Sequence, residues 1–218
     1  MKEIYALGVG HNTSVLLELA ENCGYKIKGL YHYNENRTGE FDHGFEILGS
    51  FDDLFSKGSL NGMSFLLTMG DNEIRTNLSE KIISLGGRVP SLIHPMSVIS
   101  RFAKISPIGV YILPFSYVQA DSSIGKNTIL LSHVNISHTT TIGNSCFIAG
   151  GATIGAYTTM DDYVFVGQGA LSISGKVSHI GKHSFIGARA LLTQNVDSND
   201  IIAGIPGKSI KDKSKSYG

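Results

Sequence analysis

Aliphatic residues recur at every sixth position from Ile112 to Val166, and the pattern resumes after a short slip and runs to Leu192. The positions are Ile112, Val118, Ile124, Leu130, Ile136, Ile142, Ile148, Ile154, Met160 and Val166, then Ile180, Ile186 and Leu192. A small or β-branched residue stands two positions before each, and a glycine directly follows six of them. A period of six is typical neither of an amphipathic helix nor of hairpins, but of the hexapeptide repeats of a parallel β-helix.

Elementary geometry explains why this repeat suits a β-helix. In an extended chain the aliphatic residue and the small residue two positions earlier point to the same face, so together they fill a narrow prism. Three six-residue sides close one coil, and successive coils stack about 4.8 Å apart. We expect the glycine after each aliphatic residue to ease the turn at a corner. Cys146 falls in the small inward slot, so we expect it to fill space there.

The N-terminal third follows a different pattern, in which apolar strands alternate with helical segments. The predicted strands are Ile4–Val9, Lys26–Tyr33, Ser64–Thr68 and a strand near Val89–Ile93, with a short extended segment at Glu46-Ile47-Leu48. Three helices are predicted. The first carries an apolar face of Val15, Leu16, Leu19 and Ala20, the second begins at Ser50, and the third ends near Leu85. Such alternation predicts a small parallel sheet covered by helices. The polar turns after the first three strands should then converge on one crevice.

The sequence therefore predicts two domains and a tail. Residues 1–95 are expected to form a Rossmann-like α/β domain that binds a sugar nucleotide, and residues 96–205 a β-helix. Residues 206–218 are expected to form a polar C-terminal tail that frays at its end.

The first turn, Gly8-Val9-Gly10-His11, can be interpreted in two ways. It lacks the third glycine of the dinucleotide-binding fingerprint, so it indicates NAD binding weakly, and it could simply be a tight turn that requires glycine. Alternatively, backbone N–H groups at the start of the following helix could hold a phosphate. His11 is then either a ligand contact or a solvated residue at the helix start.

Composition and charge exclude several classes of function. The 218 residues contain 18 basic and 18 acidic side chains, so nothing predicts binding to nucleic acid or to an anionic membrane. No apolar run reaches the roughly 18 residues of a transmembrane helix, and the chain starts without a signal-peptide pattern. The two cysteines fit reduced thiols, and no metal site is predicted. A cytoplasmic protein is the expectation.

Five motifs in order give the chain a family resemblance. They are Gly8-Val9-Gly10-His11, Gly70-Asp71-Asn72-Glu73-Ile74-Arg75, Leu92-Ile93-His94-Pro95, Ile136-Ser137-His138 and Ala203-Gly204-Ile205-Pro206-Gly207-Lys208. With this arrangement the chain resembles the NeuD/PglD-type bacterial sugar acyltransferases over nearly its whole length. The resemblance implies a left-handed parallel β-helix and a homotrimer with sites between subunits. It also implies acetyl-CoA as donor and an amino group or hydroxyl of an activated sugar as acceptor.

The resemblance assigns the catalytic base to His138, which stands four residues before Ile142-Gly143 as the family's histidine does. Such a base is needed because an ammonium group cannot attack a thioester until its nitrogen has lost a proton. The chain departs from the family in having Thr139 where relatives place an acidic residue that orients the histidine. A second histidine of relatives, near the acetyl group, would fall at Phe147. His133 is the alternative catalytic candidate, or a solvated histidine at a corner.

On the acceptor side the chain departs from its relatives too. Relatives carry an acidic pair after the second strand, whereas Tyr33 and Asn34 stand in that stretch here, which leaves a nucleotide other than uridine diphosphate open. An aromatic ring could stack on a base and an amide could hydrogen-bond it. The family motif adds further candidates for sugar or phosphate contact, although a helix N-cap explains Asp71 equally well. They are Gly70, Asp71, Asn72 and Arg75.

For coenzyme A, matching to the family predicts a groove lined by small residues near the C-terminal coils. The cofactor-binding candidates are Phe147, Gly150, Gly167, Gln168, Ala188 and Lys208. Corner geometry explains the glycines equally well, and Lys208 is expected to meet the phosphates of the donor.

These expectations predict an enzyme that transfers an acetyl group from acetyl-CoA to an amino group of a nucleotide-linked amino sugar, in surface-polysaccharide or glycan synthesis. Within enzymes, the alternative is O-acetylation of a sialic-acid-like sugar, or transfer of a different acyl group. A different class, a catalytically idle trimer that binds a sugar nucleotide, is suggested by Thr139 and Phe147.

Overall fold

The computed structural model describes residues 2–211, which divide into two compact units. The residues up to Pro95 together with Pro107–Tyr111 form the first unit, and Met96–Ser106 with the residues from Ile112 onward form the second. Pro107–Tyr111 thus groups with the first unit, although it lies within the segment expected to form the β-helix. Residues 212–218 of the expected tail lie outside the described residues.

The first unit contains a five-stranded sheet in the order β3-β4-β2-β1-β5. The strands are β1 Lys2–Leu7, β2 Tyr25–His32, β3 Phe41–Asp42, β4 Phe45–Ser50 and β5 Phe65–Leu67. All neighbouring pairs are parallel except β3 and β4, which form an antiparallel hairpin. The strand predicted near Val89–Ile93 is shorter and does not join this sheet. Leu92–Ile93 forms a separate strand, β6, and Arg88 makes an isolated bridge to Ser64.

Three α-helices and a 3₁₀ turn complete the first unit. They are α1 Thr13–Asn22, the 3₁₀ turn Glu35–Arg37, α2 Phe51–Phe55 and α3 Asn72–Ser84. The predicted apolar face of α1 is wrong at one position, because Leu17 is buried and Val15 is 42% exposed. The start of α2 is set by a capping box between Ser50 and Asp53. The Ser50 backbone N–H, and then its hydroxyl, donate to the Asp53 carboxylate and lower its pKa.

The second unit is a parallel β-helix of two-residue strands on three sheets. The strands are β7 Val98–Ile99, β8 Lys104–Ile105, β9 Tyr111–Ile112, β10 Tyr117–Val118, β11 Ser123–Ile124, β12 Ile129–Leu130, β13 Asn135–Ile136, β14 Thr141–Ile142, β15 Phe147–Ile148, β16 Thr153–Ile154, β17 Thr159–Met160, β18 Phe165–Val166, β19 Leu171–Ser172, β20 His179–Ile180, β21 Phe185–Ile186, β22 Leu191–Leu192, β23 Ile201–Ala203 and β24 Lys208–Ser209. Strands three apart in sequence order are neighbours, as in β7-β10-β13-β16-β19-β22 and β8-β11-β14-β17-β20. Each coil therefore has three sides, as the repeat predicts.

Inward positions stack on equivalent positions of the next coil. Ile124 pairs with Ile142, which pairs in turn with Met160, and all three are buried. The coils start at Val98–Ile99, one coil before the six-residue pattern counted from Ile112. The buried Ser172 fills the inward position between Val166 and the slip in the pattern. At the end, Lys208–Ser209 pairs antiparallel with β23, within the segment expected to be a tail.

The explanation of the corner glycines needs correcting. Left-handed backbone occurs three residues before the inward aliphatic residue, mostly at non-glycine residues such as His133 (φ 62°) and Thr139 (φ 57°). The glycines after the aliphatic residue are required for a different reason. A Cβ on Gly143 would lie 2.6 Å from the carbonyl carbon of Asp161, and one on Gly125 equally close to that of Gly143. These glycines allow the backbones of successive coils to touch.

The small inward residues also do more than fill space. Their hydroxyl groups donate to carbonyl oxygens of the next coil, from Ser122 to Ser137 at 2.8 Å and from Thr140 to Gly155 at 2.9 Å. The fully buried Sγ of Cys146 makes the same contact with the Asp161 carbonyl oxygen at 3.2 Å. The polar side chains of Ser122, Thr140 and Cys146 are thus buried at low cost because each of the three has a backbone partner.

Candidate active site

The turns after β1, β2 and β5 line one cavity of about 450 Å³ in the first unit, as the strand pattern predicts. Five candidate residues lie around it: Gly8, Gly10, His11, Tyr33 and Gly70. His11 and Tyr33 are exposed, so both side chains are accessible to a ligand. Carboxyl ends of parallel strands meet at one edge, which explains why turns distant in sequence converge there.

Gly8 and Gly10 have different roles in the first turn. Gly8 has a φ of +100°, and a Cβ there would lie 2.8 Å from Oγ1 of Thr68, whose hydroxyl donates to the Gly8 carbonyl oxygen. Gly10 faces open space, and its N–H donates to Oγ1 of Thr13 at 2.8 Å. Asn12 precedes α1 but makes no side-chain cap hydrogen bond. The start of α1 beside the cavity therefore suits an anionic group such as a phosphate.

Arg75 is fully buried beneath the cavity loop instead of facing the cavity. Its Nη1 donates to the carbonyl oxygens of Met69 and Gly70 at 3.1 and 3.3 Å, and its Nη2 to Oδ1 of Asn72 at 2.6 Å. Three of the four candidates after β5 are thus connected to one another. The Asp71 side chain caps α3 by accepting from the N–H of Ile74, as the alternative interpretation predicts.

The turn after β2 is organised by His32 and Asn34. The buried His32 accepts from the Asn34 N–H through Nδ1 at 3.1 Å, and Oδ1 of Asn34 accepts from the Asn36 N–H. Asn34 therefore shapes the turn and is not among the residues that line the cavity. Tyr33 is 76% exposed with its ring centroid 4.3 Å from that of His32.

His138 is exposed at a corner of the β-helix in the second unit. Its Nδ1 lies 3.2 Å from Oγ1 of Thr139, the next residue in the chain. Its backbone N–H donates to Oε1 of Gln119 on the preceding coil at 3.2 Å, and Gln119 also donates to Asn135. The ring of Tyr157, on the following coil, meets the imidazole at 90° with centroids 5.1 Å apart.

His133, the second catalytic candidate, and Phe147, a cofactor candidate, have surroundings that differ from those of His138. His133 is exposed at another corner, with its ring 5.0 Å from that of Phe115. Phe147 is buried on the outer face of β15 and is the first ring of a stack with Phe165 and Phe185, with interplanar angles of 11° and 8°. In this chain Phe147 therefore takes part in an aromatic ladder between coils.

The remaining candidates for coenzyme A lie on the later coils. Gln168, Ala188 and Lys208 are exposed, and Lys208 lies on β24. Gly167 is buried, and a Cβ there would lie 2.5 Å from the backbone nitrogen of Ala188, so coil stacking requires this glycine. Gly150 is half-buried, and a Cβ there would meet only the carbonyl oxygen of Ser132, at 3.2 Å, so the space beside it is more open than at Gly167.

Sequence reasoning missed part of the site. The cavity is also lined by Val9, Phe51, Thr68, Met69 and Ile74. Ile74 is 51% exposed, and its place within the motif that begins at Gly70 was a signal available from the sequence. Among residues 2–211, no group of three or more His, Cys, Asp or Glu side chains is arranged to hold a metal ion. Within that range no helix is both long and apolar enough to cross a membrane.

Known proteins resemble this chain in sequence and fold. No family model matches it. GDP-perosamine N-acetyltransferase from Escherichia coli O157:H7 is 25% identical over 154 residues, which are 71% of this chain and 68% of that protein. Shorter matches of 32% and 42% identity are to acyl-[acyl-carrier-protein]–UDP-N-acetylglucosamine O-acyltransferases from Nautilia profundicola and Mesorhizobium japonicum. The chain spans 32% and 24% of their lengths, and 24% of that of a mimivirus relative.

The fold comparison covers almost the whole chain. PerB from Caulobacter crescentus, solved with CoA and GDP-perosamine, matches with a TM-score of 0.86 and 22% identity over 96% of this chain and 97% of that one. The chain therefore shares the fold of that protein. Its stacked parallel sheets fit the left-handed β-helix fold of hexapeptide-repeat acyltransferases. Structures of the Caulobacter protein with one histidine replaced by asparagine or alanine match the same acyltransferase fold, with TM-scores of 0.73 and 0.72.

Proposed function

We propose that this protein is an N-acetyltransferase that moves an acetyl group from acetyl-CoA to the amino group of a nucleotide-linked amino sugar. The observation that carries the proposal is the exposed His138, hydrogen-bonded through Nδ1 at a β-helix corner. Relatives that bind CoA and GDP-perosamine, or are GDP-perosamine N-acetyltransferases, support the substrate class. We place this activity in the cytoplasm, where its product, an acetylated nucleotide-linked sugar, would supply glycan or polysaccharide synthesis.

The proposed chemistry is a direct transfer. Because Nδ1 faces Thr139, Nε2 of His138 is the nitrogen that accepts a proton from the sugar amine as that amine adds to the thioester carbonyl. A backbone N–H of a neighbouring coil is a suitable donor to the developing oxyanion. The carbon–sulfur bond then breaks, an amide remains on the sugar, and the thiolate of coenzyme A takes the proton from the imidazolium. No covalent enzyme intermediate is required.

The first unit is proposed as the Rossmann-like domain that binds the nucleotide sugar. The cavity beside Gly8, Gly10, His11 and Gly70 would take the diphosphate at the start of α1. Tyr33, exposed at its rim, would stack on the base. A guanosine-linked amino sugar is the first acceptor to test, because the relatives named above bind or act on that class.

The second unit is proposed to form a homotrimer with coenzyme A held in grooves near Gly150, Gln168, Ala188 and Lys208. Exposed apolar side chains on its outer faces support a contact with further copies of the chain. They include Leu171, Phe185 and Ile201, each about 40–45% exposed. His138→Ala chains and Gly150→Trp chains are each expected to be inactive alone, and mixing them should restore some turnover if sites lie between subunits. No recovery at any mixing ratio would contradict shared sites.

The deciding experiment follows thiol release from acetyl-CoA with guanosine-, uridine- and thymidine-linked amino sugars, comparing wild type with His138→Ala. We expect turnover on one acceptor and a loss of 10²–10⁴-fold in the variant. Turnover that survives in His138→Ala but collapses in His133→Ala would move the base to His133. Absence of turnover on every acceptor, with binding of coenzyme A retained, would favour the idle binding trimer.

A further inference from the structure

The ring of Tyr157 packs against His138 from the following coil. Their ring centroids are 5.1 Å apart, with the planes at 90°, and the Tyr157 backbone N–H donates to the His138 carbonyl oxygen at 3.4 Å. We propose that Tyr157 is a positioning residue that holds the His138 imidazole in the orientation in which it accepts the proton. This inference rests on the proposed role of His138 as general base.

The need for such a residue follows from the other contacts of His138. Oγ1 of Thr139 lies 3.2 Å from Nδ1, but a hydroxyl can both donate and accept, so it restrains the ring less than a carboxylate would. Gln119 binds the backbone N–H of His138 and so restrains the main chain, not the ring. An exposed imidazole with one flexible partner exchanges readily between rotamers. Packing by a neighbouring ring restricts that exchange.

The geometry of this pair differs from that of the other histidine pairs on the β-helix. His133 with Phe115 and His183 with Tyr163 have interplanar angles of 33° and 7°. The members of those pairs occupy equivalent corners of successive coils, and the one pair is tilted while the other is stacked. His138 stands one residue before its corner residue, and the ring of Tyr157 therefore meets it at a right angle. Perpendicular packing is a favourable arrangement of aromatic rings.

Core packing does not explain the position of the Tyr157 ring, because its side chain is 62% exposed. Its φ of 62° is the left-handed conformation that corners of the repeat share, such as His133 and Tyr163, so the backbone does not distinguish Tyr157 from other corner residues. What distinguishes Tyr157 is the perpendicular contact of its ring with the imidazole of His138.

The test compares Tyr157→Phe, which keeps the ring, with Tyr157→Gly, which removes it and relieves the backbone strain. Tyr163→Gly is the matched control, because Tyr163 has the same φ of 62° and also packs on a histidine. We expect Tyr157→Gly to lower kcat about tenfold and to leave KM for both substrates unchanged. A tenfold change in rate corresponds to the free energy that one aromatic pair contributes. Tyr157→Phe should stay within about twofold of wild type, and Tyr163→Gly should keep its kcat.

A double-variant comparison separates this inference from the proposed function. In the His138→Ala background, Tyr157→Gly should cause no further loss, because Tyr157 acts through His138. An equal loss in both backgrounds, or a raised KM for the acceptor with unchanged kcat, would overturn the positioning role while leaving the base in place. Full turnover in His138→Ala alone would instead contradict the proposed base.

A readout that does not depend on turnover completes the test. In protein with isotope-labelled histidine, the ring resonances of His138, identified from their absence in His138→Ala, should shift and broaden in Tyr157→Gly but not in Tyr163→Gly. Resonances of His138 unchanged in Tyr157→Gly would show that the tyrosine ring does not restrain the imidazole and would overturn the inference. Melting temperatures of all variants establish that each remains folded.

Discussion

The hydroxyl of Thr139 lies 3.2 Å from Nδ1 of His138, and toward that nitrogen it can act either as donor or as acceptor. When the hydroxyl accepts, Nδ1 carries the proton and Nε2 is free to act as the proposed base. When the hydroxyl donates, Nε2 carries the proton and cannot accept another from the sugar amine. A carboxylate at the same place can only accept. Thr139 therefore leaves the tautomer of the imidazole less firmly set than a carboxylate would.

This relationship predicts that Thr139→Asp raises kcat by about 2–10-fold, because a carboxylate favours the tautomer with the proton on Nδ1. Aspartate also tolerates the φ of 57° better than a β-branched residue does. Steady-state kcat is the measurement. Thr139→Asn is the matched control, since its amide has the size of the carboxylate but can also donate. A kcat in Thr139→Asp no higher than in Thr139→Asn would contradict the tautomer argument.

Arg75→Met should loosen the loop that lines the cavity. Its guanidinium donates to the carbonyl oxygens of Met69 and Gly70 from a fully buried position, and no methionine atom can replace those bonds. We expect the free energy of unfolding to fall by about 3 kcal/mol and KM for the sugar nucleotide to rise more than kcat falls. The control is Arg88→Met, because Arg88 is exposed and donates to the Gly62 carbonyl outside the cavity lining. Equal KM values in both variants would exclude a loop-supporting role for Arg75.

Gly143→Ala should destabilise the β-helix, because a Cβ there would lie 2.6 Å from the backbone of Asp161. Overpacking of this kind costs about 1–3 kcal/mol. Gly10→Ala is the control for the substitution itself, since a Cβ on Gly10 would meet nothing within 4 Å and its φ is not left-handed. Chemical denaturation measures both. Equal stabilities for the two variants would refute the close-approach explanation of the repeat glycines.

Tyr111→Phe should destabilise the first unit at neutral pH. The Leu67 N–H donates to the Tyr111 hydroxyl at 2.9 Å in a fully buried site, and leaving that N–H unpaired costs about 1–3 kcal/mol. Burial raises the pKa of Tyr111 above its ordinary value, and the Leu67 N–H offsets this partly. The wild type should therefore lose stability as the pH rises past the ordinary tyrosine range, because its unfolded state ionises first. Phenylalanine cannot ionise, so the stability difference should shrink in alkaline unfolding experiments.

The β-helix was predictable because its core is a linear repeat. Positions six residues apart, such as Ile136 and Ile142, belong to successive sides, and positions eighteen apart stack directly, so sequence spacing maps onto contacts. The six-residue pattern was counted only from Ile112 because Ile105 and Ile112 stand seven residues apart, which interrupts the period. The glycine after each aliphatic residue was recognised, but its reason lies in the adjacent coil.

The candidate site was predictable in composition more than in geometry. The turns at Gly8, Tyr33 and Gly70 were identified because strand ends of a parallel sheet meet at one edge. The inward direction of Arg75 was not predictable, since a motif does not reveal whether a charged side chain meets a ligand or the carbonyl groups of its own loop. For the same reason Asn34 proved to be a turn residue.

The sequence by itself determined the period of the β-helix, the alternation of strands and helices before it, and an exposed histidine at a corner. The tertiary structure decided which side chains meet across coils and turns. His138 and Tyr157 are nineteen residues apart, and only the stacking of coils brings their rings to 5.1 Å. Periodicity records which face a residue occupies, whereas contacts between side chains depend on the rotamers and backbone angles that packing selects.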